Sequence, residues 1–295
     1  MNARPLSRHA QHADCLIRRK IRMLRMAARK WDFLDDVLAC RVAQALASSV
    51  GFSRRAGPYY NPSVPLTRRT FLASSALLLP SESPMKIIFT GGHPGDPECG
   101  CAGTIARYAD LGHDVVLLYL NRGEGFCGGS PLDRCAAIRT AEAIKACQIL
   151  KARPIFAGQI DGRAIVDQAH YETFSRLLTA ETPDAVFTQW PIDRHRDHRA
   201  VSALTLDAFF QATKKFALYY YEVAEDTSMF TPSDYVDISA VEPRRRAACY
   251  AHVSQQPDKW YPKQVEITKF RGTESAHTQA EAFLRHKESK PIPLP

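Results

Sequence analysis

Residues 86–98 read KIIFTGGHPGDPE. The stretch from Lys86 to Thr90 is a short, mostly apolar run that ends on two glycines, which is how a strand buried on both faces reads. The second half carries His93, Asp96 and Glu98 around Pro97. A proline at the first helical position gives up an N–H that would have no partner there in any case, so a helix can start at this point. Strand, glycine turn and helix together make the first βα unit of a parallel sheet. The turn also sets an imidazole and a carboxylate three residues apart at the carboxyl end of the strand, where such sheets bind their ligands.

Working outward, the alternation continues. The spacing predicts a helix over 98–111 that stops at Gly112, and a second buried strand over 115–120. Residues 132–150 read as a helix with Ala137, Ile138, Ala141, Ile144 and Ala146 as its apolar stripe. Strands are expected over 154–157, 185–188 and 217–223, and helices over 170–180 and 197–212. Beyond residue 225 the pattern loosens. Residues 244–254, 259–270 and 274–286 read as helices, and the tail 291–295 as frayed. The expected fold class is α/β: a Rossmann-like, mostly parallel sheet with helices on both faces.

A second polar stretch, QWPIDRHRDHRA over residues 189–200, follows the fourth predicted strand. It adds His195, Asp197 and His198. Any three of His93, Asp96, His195 and His198 would satisfy a catalytic zinc, which takes three protein ligands and leaves a position for water. Such an ion acidifies water and polarises a carbonyl, so the reaction to expect is hydrolysis. Taken singly, each stretch is equally compatible with a capped or solvated helix start. At two strand ends of one sheet they point to a site. His113, His170, His252, His277 and His286 have no comparable neighbours in sequence and read as structural or surface residues.

A third loop, NRGEGFCGG over residues 121–129, contains G-x-G-x-x-G but follows the second strand, and no acidic residue stands where a ribose partner is needed. We read it as a substrate-facing loop carrying Arg122 and Glu124, not as a dinucleotide cradle.

Charge is unevenly spread. Residues 1–84 hold 14 Lys and Arg against 5 Asp and Glu, and the remainder 25 against 26, so the net charge of +8 belongs to the N-terminal segment. A nearly neutral body offers nucleic acid no basic stripe. No apolar run reaches the roughly 18–20 residues that span a bilayer. Arg68, Arg69 and Phe71 before a short apolar run resemble a twin-arginine export signal. The alternatives are a start nearer Met85, or just upstream of the arginine pair, and a poorly ordered basic extension. Eight cysteines without a C-x-x-C read as mostly reduced thiols, so a cytoplasmic location is favoured over export.

With GHPGDPECGCAGT, NRGE and DRHRDH in this order, the chain over about residues 85 to 290 resembles the LmbE/PIG-L family of zinc-dependent N-acetylglucosamine deacetylases. That family carries A-H-P-D-D-E and G-C-G-G-T after its first strand, R-G-E after its second, and a later H-x-D-H. The resemblance implies a deacetylase domain over 85–295 behind the extension 1–84. It implies His93, Asp96 and His198 as zinc ligands (another divalent metal being the alternative), His195 as the group that steadies the oxyanion, and Asp197 as an orienting carboxylate. The substrate implied is an N-acetylated sugar or glycoconjugate. A homo-oligomer is compatible with the sequence. Two departures stand out. Gly95 replaces the aspartate regarded as the general base, and Pro97 replaces the following glutamate, with Glu98 one place later. Glu98 and Asp193 are the substitutes to consider for the base, alongside Asp197. Without one, a metal-binding protein of weak turnover is the alternative.

Overall fold

The computed structural model describes residues 83–295 apart from 126 and 128. The chain divides into two units, Met1–Pro80 and Ser81–Pro295, and all that follows concerns the second. The extension over 1–84 and its arginine pair lie outside the described residues, save the last two positions.

Five strands run parallel: β1 (Lys86–Gly91), β2 (Asp114–Asn121), β3 (Arg153–Gln159), β4 (Ala185–Gln189) and β5 (Ala217–Tyr221). Between them lie α1 (Asp96–Asp110), α2 (Leu132–Leu150), α3 (Gln168–Ala180) and α4 (Arg196–Gln211). Beyond β5 come β6 (Asp234–Asp237), α5 (Glu242–Cys249), α6 (Tyr261–Ser275) and β7 (Ala280–Arg285). The sheet order is β3-β2-β1-β4-β5-β7-β6. The chain therefore leaves β1 outward through β2 and β3, then returns to its other side with β4. That reversal opens a crevice at the carboxyl ends of β1 and β4. The expected α/β, mostly parallel sheet is what the chain forms.

Strand periodicity sorts the core. Ile87, Phe89, Leu117, Tyr119, Phe187 and Tyr219 face one layer with α1, α2 and α5. Ile88, Val116, Leu118, Val186 and Leu218 face the other with α3 and α4. Phe89, Phe187 and Tyr219 stack across β1, β4 and β5 with ring centroids 4.6 and 4.9 Å apart. These rings knit the two strands that carry the site.

Three expectations fail, each for a physical reason. Residues 274–286 are not a helix, since α6 ends at Ser275 and Ala280–Arg285 forms β7, antiparallel to β5 and β6. Helix-favouring Ala, Glu and Leu yield there to pairing with an open sheet edge, a tertiary override of propensity. The apolar stripe of α2 is rotated from the predicted one. Cys135, Ala136, Arg139, Ala143, Ala146, Cys147 and Leu150 are buried, whereas Ile144 is 42 % exposed. Small side chains let this face approach closely, and Arg139 within it is held by loop carbonyls. Cys127 and Cys135 are joined as a disulfide, while Cys99, Cys101, Cys147 and Cys249 are buried free thiols, in keeping with the mostly reduced set expected. The tail is packed: Ile292 and Leu294 lie against the core, and Tyr108 donates to the Pro293 carbonyl at 3.1 Å.

Under α1 lies a buried ion pair. Glu281 on β7 accepts from Gly103 N, Thr104 N and the Thr104 hydroxyl at 2.9, 2.7 and 2.7 Å. Its other neighbour is Arg245, 3.4 Å away and equally buried. Removing one partner of such a pair strands the other's charge. Glu281→Ala is expected to cost about 3–5 kcal/mol, read as a lower urea midpoint at unchanged m-value.

Candidate metal centre and active site

Gly95 caps α1 with φ +106°, a left-handed conformation that a side chain resists. Its N–H donates to Glu98 Oε2 at 3.1 Å, half of a capping box that fixes the turn. The turn presents His93 and Asp96 side by side. Asp96 Oδ2 accepts from His93 N at 2.8 Å and lies 3.1 Å from both His93 Nδ1 and His198 Nε2. One carboxylate oxygen thus joins the loop after β1 to the helix after β4.

Each imidazole has a carboxylate on its far nitrogen. His93 Nε2 lies 3.1 Å from Asp161 Oδ1 and 3.2 Å from Asp197 Oδ2. His198 Nδ1 lies 3.1 Å from Asp193 Oδ1. Carboxylates in this place set the tautomer and orientation of metal-ligating histidines. Asp197 Oδ2 also accepts from Asn121 Nδ2 at 2.9 Å and Gly162 N at 2.7 Å, while its Oδ1 is buried without a hydrogen-bond partner. Two sets of three residues bring donor atoms within 4.8 Å of one another: His93, His195 and His198, and His93, Asp161 and Asp197. Asp96 is in neither set, yet its Oδ2 touches two of the histidines. We weigh the shared oxygen more heavily, because the far nitrogens of His93 and His198 are already committed to carboxylates. Two imidazoles, a carboxylate and an orphaned buried oxygen nearby fit a divalent cation.

Electrostatics follow from this crowding. Burial works against charge on His93, but Asp96, Asp161 and Asp197 outweigh it and hold the ring protonated well above its usual range. Burial likewise opposes charge on His198, and Asp96 and Asp193 raise it to about 9. The same contacts hold Asp96 well below the carboxylate range against the effect of its burial. Asp161, lifted by burial but hydrogen-bonded to His93, sits at about 2.

His195 caps α4, its Nδ1 accepting from Asp197 N at 3.3 Å. In the neutral ring the proton therefore rests on Nε2, which makes it a donor. Burial and the charges on His93 and His198 lower its pKa. His195 lines a cleft of about 690 Å³ together with His93, Asp96, Asp161, His198 and Arg194.

The remaining predicted residues are placed as follows. Asp193 is turned inward, accepting from His195 N at 2.8 Å and from the Thr227 hydroxyl at 3.1 Å. Glu98 is fully buried away from the histidines, accepting from the Tyr119 hydroxyl at 2.7 Å and lying 3.0 Å from His252 Nε2. Glu124 is buried and accepts from Asp161 N at 3.3 Å, whereas the Arg122 side chain is 51 % exposed at the rim.

Three residues escaped the sequence reading. Asp161 stands just past β3, a strand end of the kind already inspected after β1, β2 and β4, so strand-end logic extends to it. Arg139 donates to the Pro94 and Gly123 carbonyls at 2.7 and 3.2 Å, and a β-carbon on Gly123 would fall 2.3 Å from its guanidinium. The glycine motif thus makes room for an arginine. His252, read as structural, lies 3.0 Å from Glu98, a contact that only the tertiary fold creates.

Residues 88–209 match the model of a family described as PIG-L, GlcNAc-PI de-N-acetylase. Over that stretch the chain is similar to the PIG-L family. A diacetylchitobiose deacetylase of Thermococcus kodakarensis is 28 % identical over 218 residues, covering 67 % of this chain and 82 % of its own. The fold superposes on an N,N'-diacetylchitobiose deacetylase from Pyrococcus horikoshii with a TM-score of 0.64 at 20 % identity, over 77 % of this chain and 95 % of that one. A 4-carboxy-2-hydroxymuconate hydratase, GalB, from Pseudomonas putida superposes with a TM-score of 0.63 at 19 % identity, over 72 % and 100 %. Fold alone does not fix the reaction.

If His93, Asp96 and His198 hold a divalent cation, His93→Ala and His198→Ala each abolish binding of zinc as the probe ion. Asp193→Asn, which weakens the contact that orients His198, lowers zinc affinity about 10–100-fold. Metal analysis and competition with a chromogenic chelator measure both.

Proposed function

We propose that this domain is a zinc amidohydrolase that removes an N-acetyl group from an amino sugar or a conjugate of one. The observation that carries the proposal is the convergence of His93 Nδ1, Asp96 Oδ2 and His198 Nε2, with a carboxylate behind each ring. A zinc ion held by these three residues supplies Lewis-acid polarisation of an acyl oxygen and an acidified water.

The chain's own residues do the rest. Asp161 and Asp197 hold His93, and Asp193 holds His198, so the donors are ordered beforehand. His195 presents its Nε2 proton toward the cleft, suited to an acyl oxygen as it gains negative charge. Arg194, Asp226 and Gln255 give the cleft wall polar groups that match sugar hydroxyls. The sugar class draws further support from the Thermococcus relative, a diacetylchitobiose deacetylase by name. Among the described residues no helix is long and apolar enough to cross a membrane.

Gly95 motivated the alternative of a metal-binding protein of weak turnover. Its φ of +106° makes it a requirement of the turn as built, not a simple deletion of a side chain. Gly95→Asp is accordingly expected to lower stability by about 1–3 kcal/mol and to bring no gain in activity.

The test is release of free amine from N,N'-diacetylchitobiose and N-acetylglucosamine by zinc-loaded protein. Turnover should vanish with a chelator and return with zinc, and His195→Ala should lower kcat about 10²–10³-fold. A zinc-loaded protein inert toward a panel of acetamido sugars would refute the proposal.

A further inference from the structure

Amide hydrolysis needs a proton acceptor, and of the carboxylates lining the cleft Asp226 accepts from Arg194 Nε at 2.6 Å. Asp161 spends its oxygens on His93 Nε2 and Gly125 N, at 3.1 and 3.0 Å. Asp193, Asp197 and Glu98 are not among the residues lining the cleft. The Nδ1 of His195 is taken by Asp197 N.

A buried imidazole lone pair in the adjoining pocket has no partner. His252 follows α5, is fully buried, and has no hydrogen-bond partner at Nδ1. Its Nε2 lies 3.0 Å from Glu98 Oε1, and Glu98 already accepts from Gly95 N–H and the Tyr119 hydroxyl. An acceptor carboxylate draws the imidazole proton onto Nε2, which leaves Nδ1 of the neutral ring as a base. The ring stands against Gly95, since a β-carbon there would lie 3.7, 3.8 and 3.9 Å from Cγ, Cδ2 and Nδ1. Gly95, Asp96 and His252 line one pocket of about 230 Å³. That pocket shares Asp96, Arg139, Asp226 and Gln255 with the metal cleft, so the two adjoin.

We propose that His252 is the proton acceptor of this site, with Glu98 as its positioning residue, filling the role that position 95 lacks a side chain to perform. The inference rests on the hydrolase function proposed above. As the oxygen of water bonds to the acyl carbon, its proton passes to His252 Nδ1, directly or through one water. The same proton then goes to the amide nitrogen as the C–N bond breaks, giving acetate and a free amine with no change of oxidation state. Glu98 steadies the imidazolium between the two transfers, as an aspartate does in a serine hydrolase triad.

The experiment uses the full chain loaded with zinc. His252→Gln should lose about 10²–10⁴-fold in kcat, with KM and zinc content little changed. His252→Gly should lose as much and recover with added imidazole, a rescue that a purely structural histidine does not show. Wild-type kcat in His252→Gln, or a zinc-loaded His252→Gly that imidazole fails to rescue, overturns the proposal. Nitrogen-15 spectra of the wild-type protein supply a readout that needs neither variant nor substrate: a neutral His252 carrying its proton on Nδ1 overturns it as well. Absence of acetamide turnover in wild type would instead sink the hydrolase function, so the two failures are told apart.

Discussion

A single oxygen, Asp96 Oδ2, organises this molecule's functional end. It touches a backbone amide and an imidazole from the loop after β1, and a second imidazole from α4. Nothing local holds those histidines together, because they are 105 positions apart in the chain. Their meeting depends on β1 and β4 being neighbours, which the order β3-β2-β1-β4-β5 secures. The aromatic stack of Phe89, Phe187 and Tyr219 fastens those same strands below the site. Packing of the sheet and placement of the donors are therefore one problem solved once.

Much of this was legible in the sequence, because the signals are local. A buried strand, a glycine turn and Pro97 at the head of a helix state their own geometry, and the rule that ligands sit at carboxyl ends of strands adds the direction. His93, Asp96, His195, Asp197 and His198 all came from that logic. What the sequence concealed depends on contacts between distant segments. Residues 280–285 have the composition of a helix, and only an unpaired sheet edge makes them a strand. Arg139 looks like a solvent-facing charge until the carbonyls of Pro94 and Gly123 are brought against it. His252 has no local pattern at all. Its partner Glu98 lies 154 positions away.

Gly95 illustrates how a departure from a family pattern changes meaning once the backbone is seen. In sequence it is a missing carboxylate. In the fold it is a left-handed helix cap whose N–H is held by Glu98, and the volume beside it is bounded by an imidazole. The same three residues account for the turn, the capping box and the side pocket, so a change at one of them reaches the other two.

Arg139 has a wider effect than its two hydrogen bonds suggest. Because one guanidinium braces both the Pro94 turn and the Gly123 loop, the floor of the cleft and one of its walls move as a single rigid part. Drift in that wall would disturb the metal donors, which leaves it poorly suited to accommodate new substrates. On the opposite wall Asp226 is tied to Arg194, beside the carboxylate that orients His198, but Trp260, at the head of α6, donates to the Gln255 carbonyl and to none of the metal donors. Diversification of substrate choice on this scaffold should therefore accumulate there, on the side where the sheet turns antiparallel.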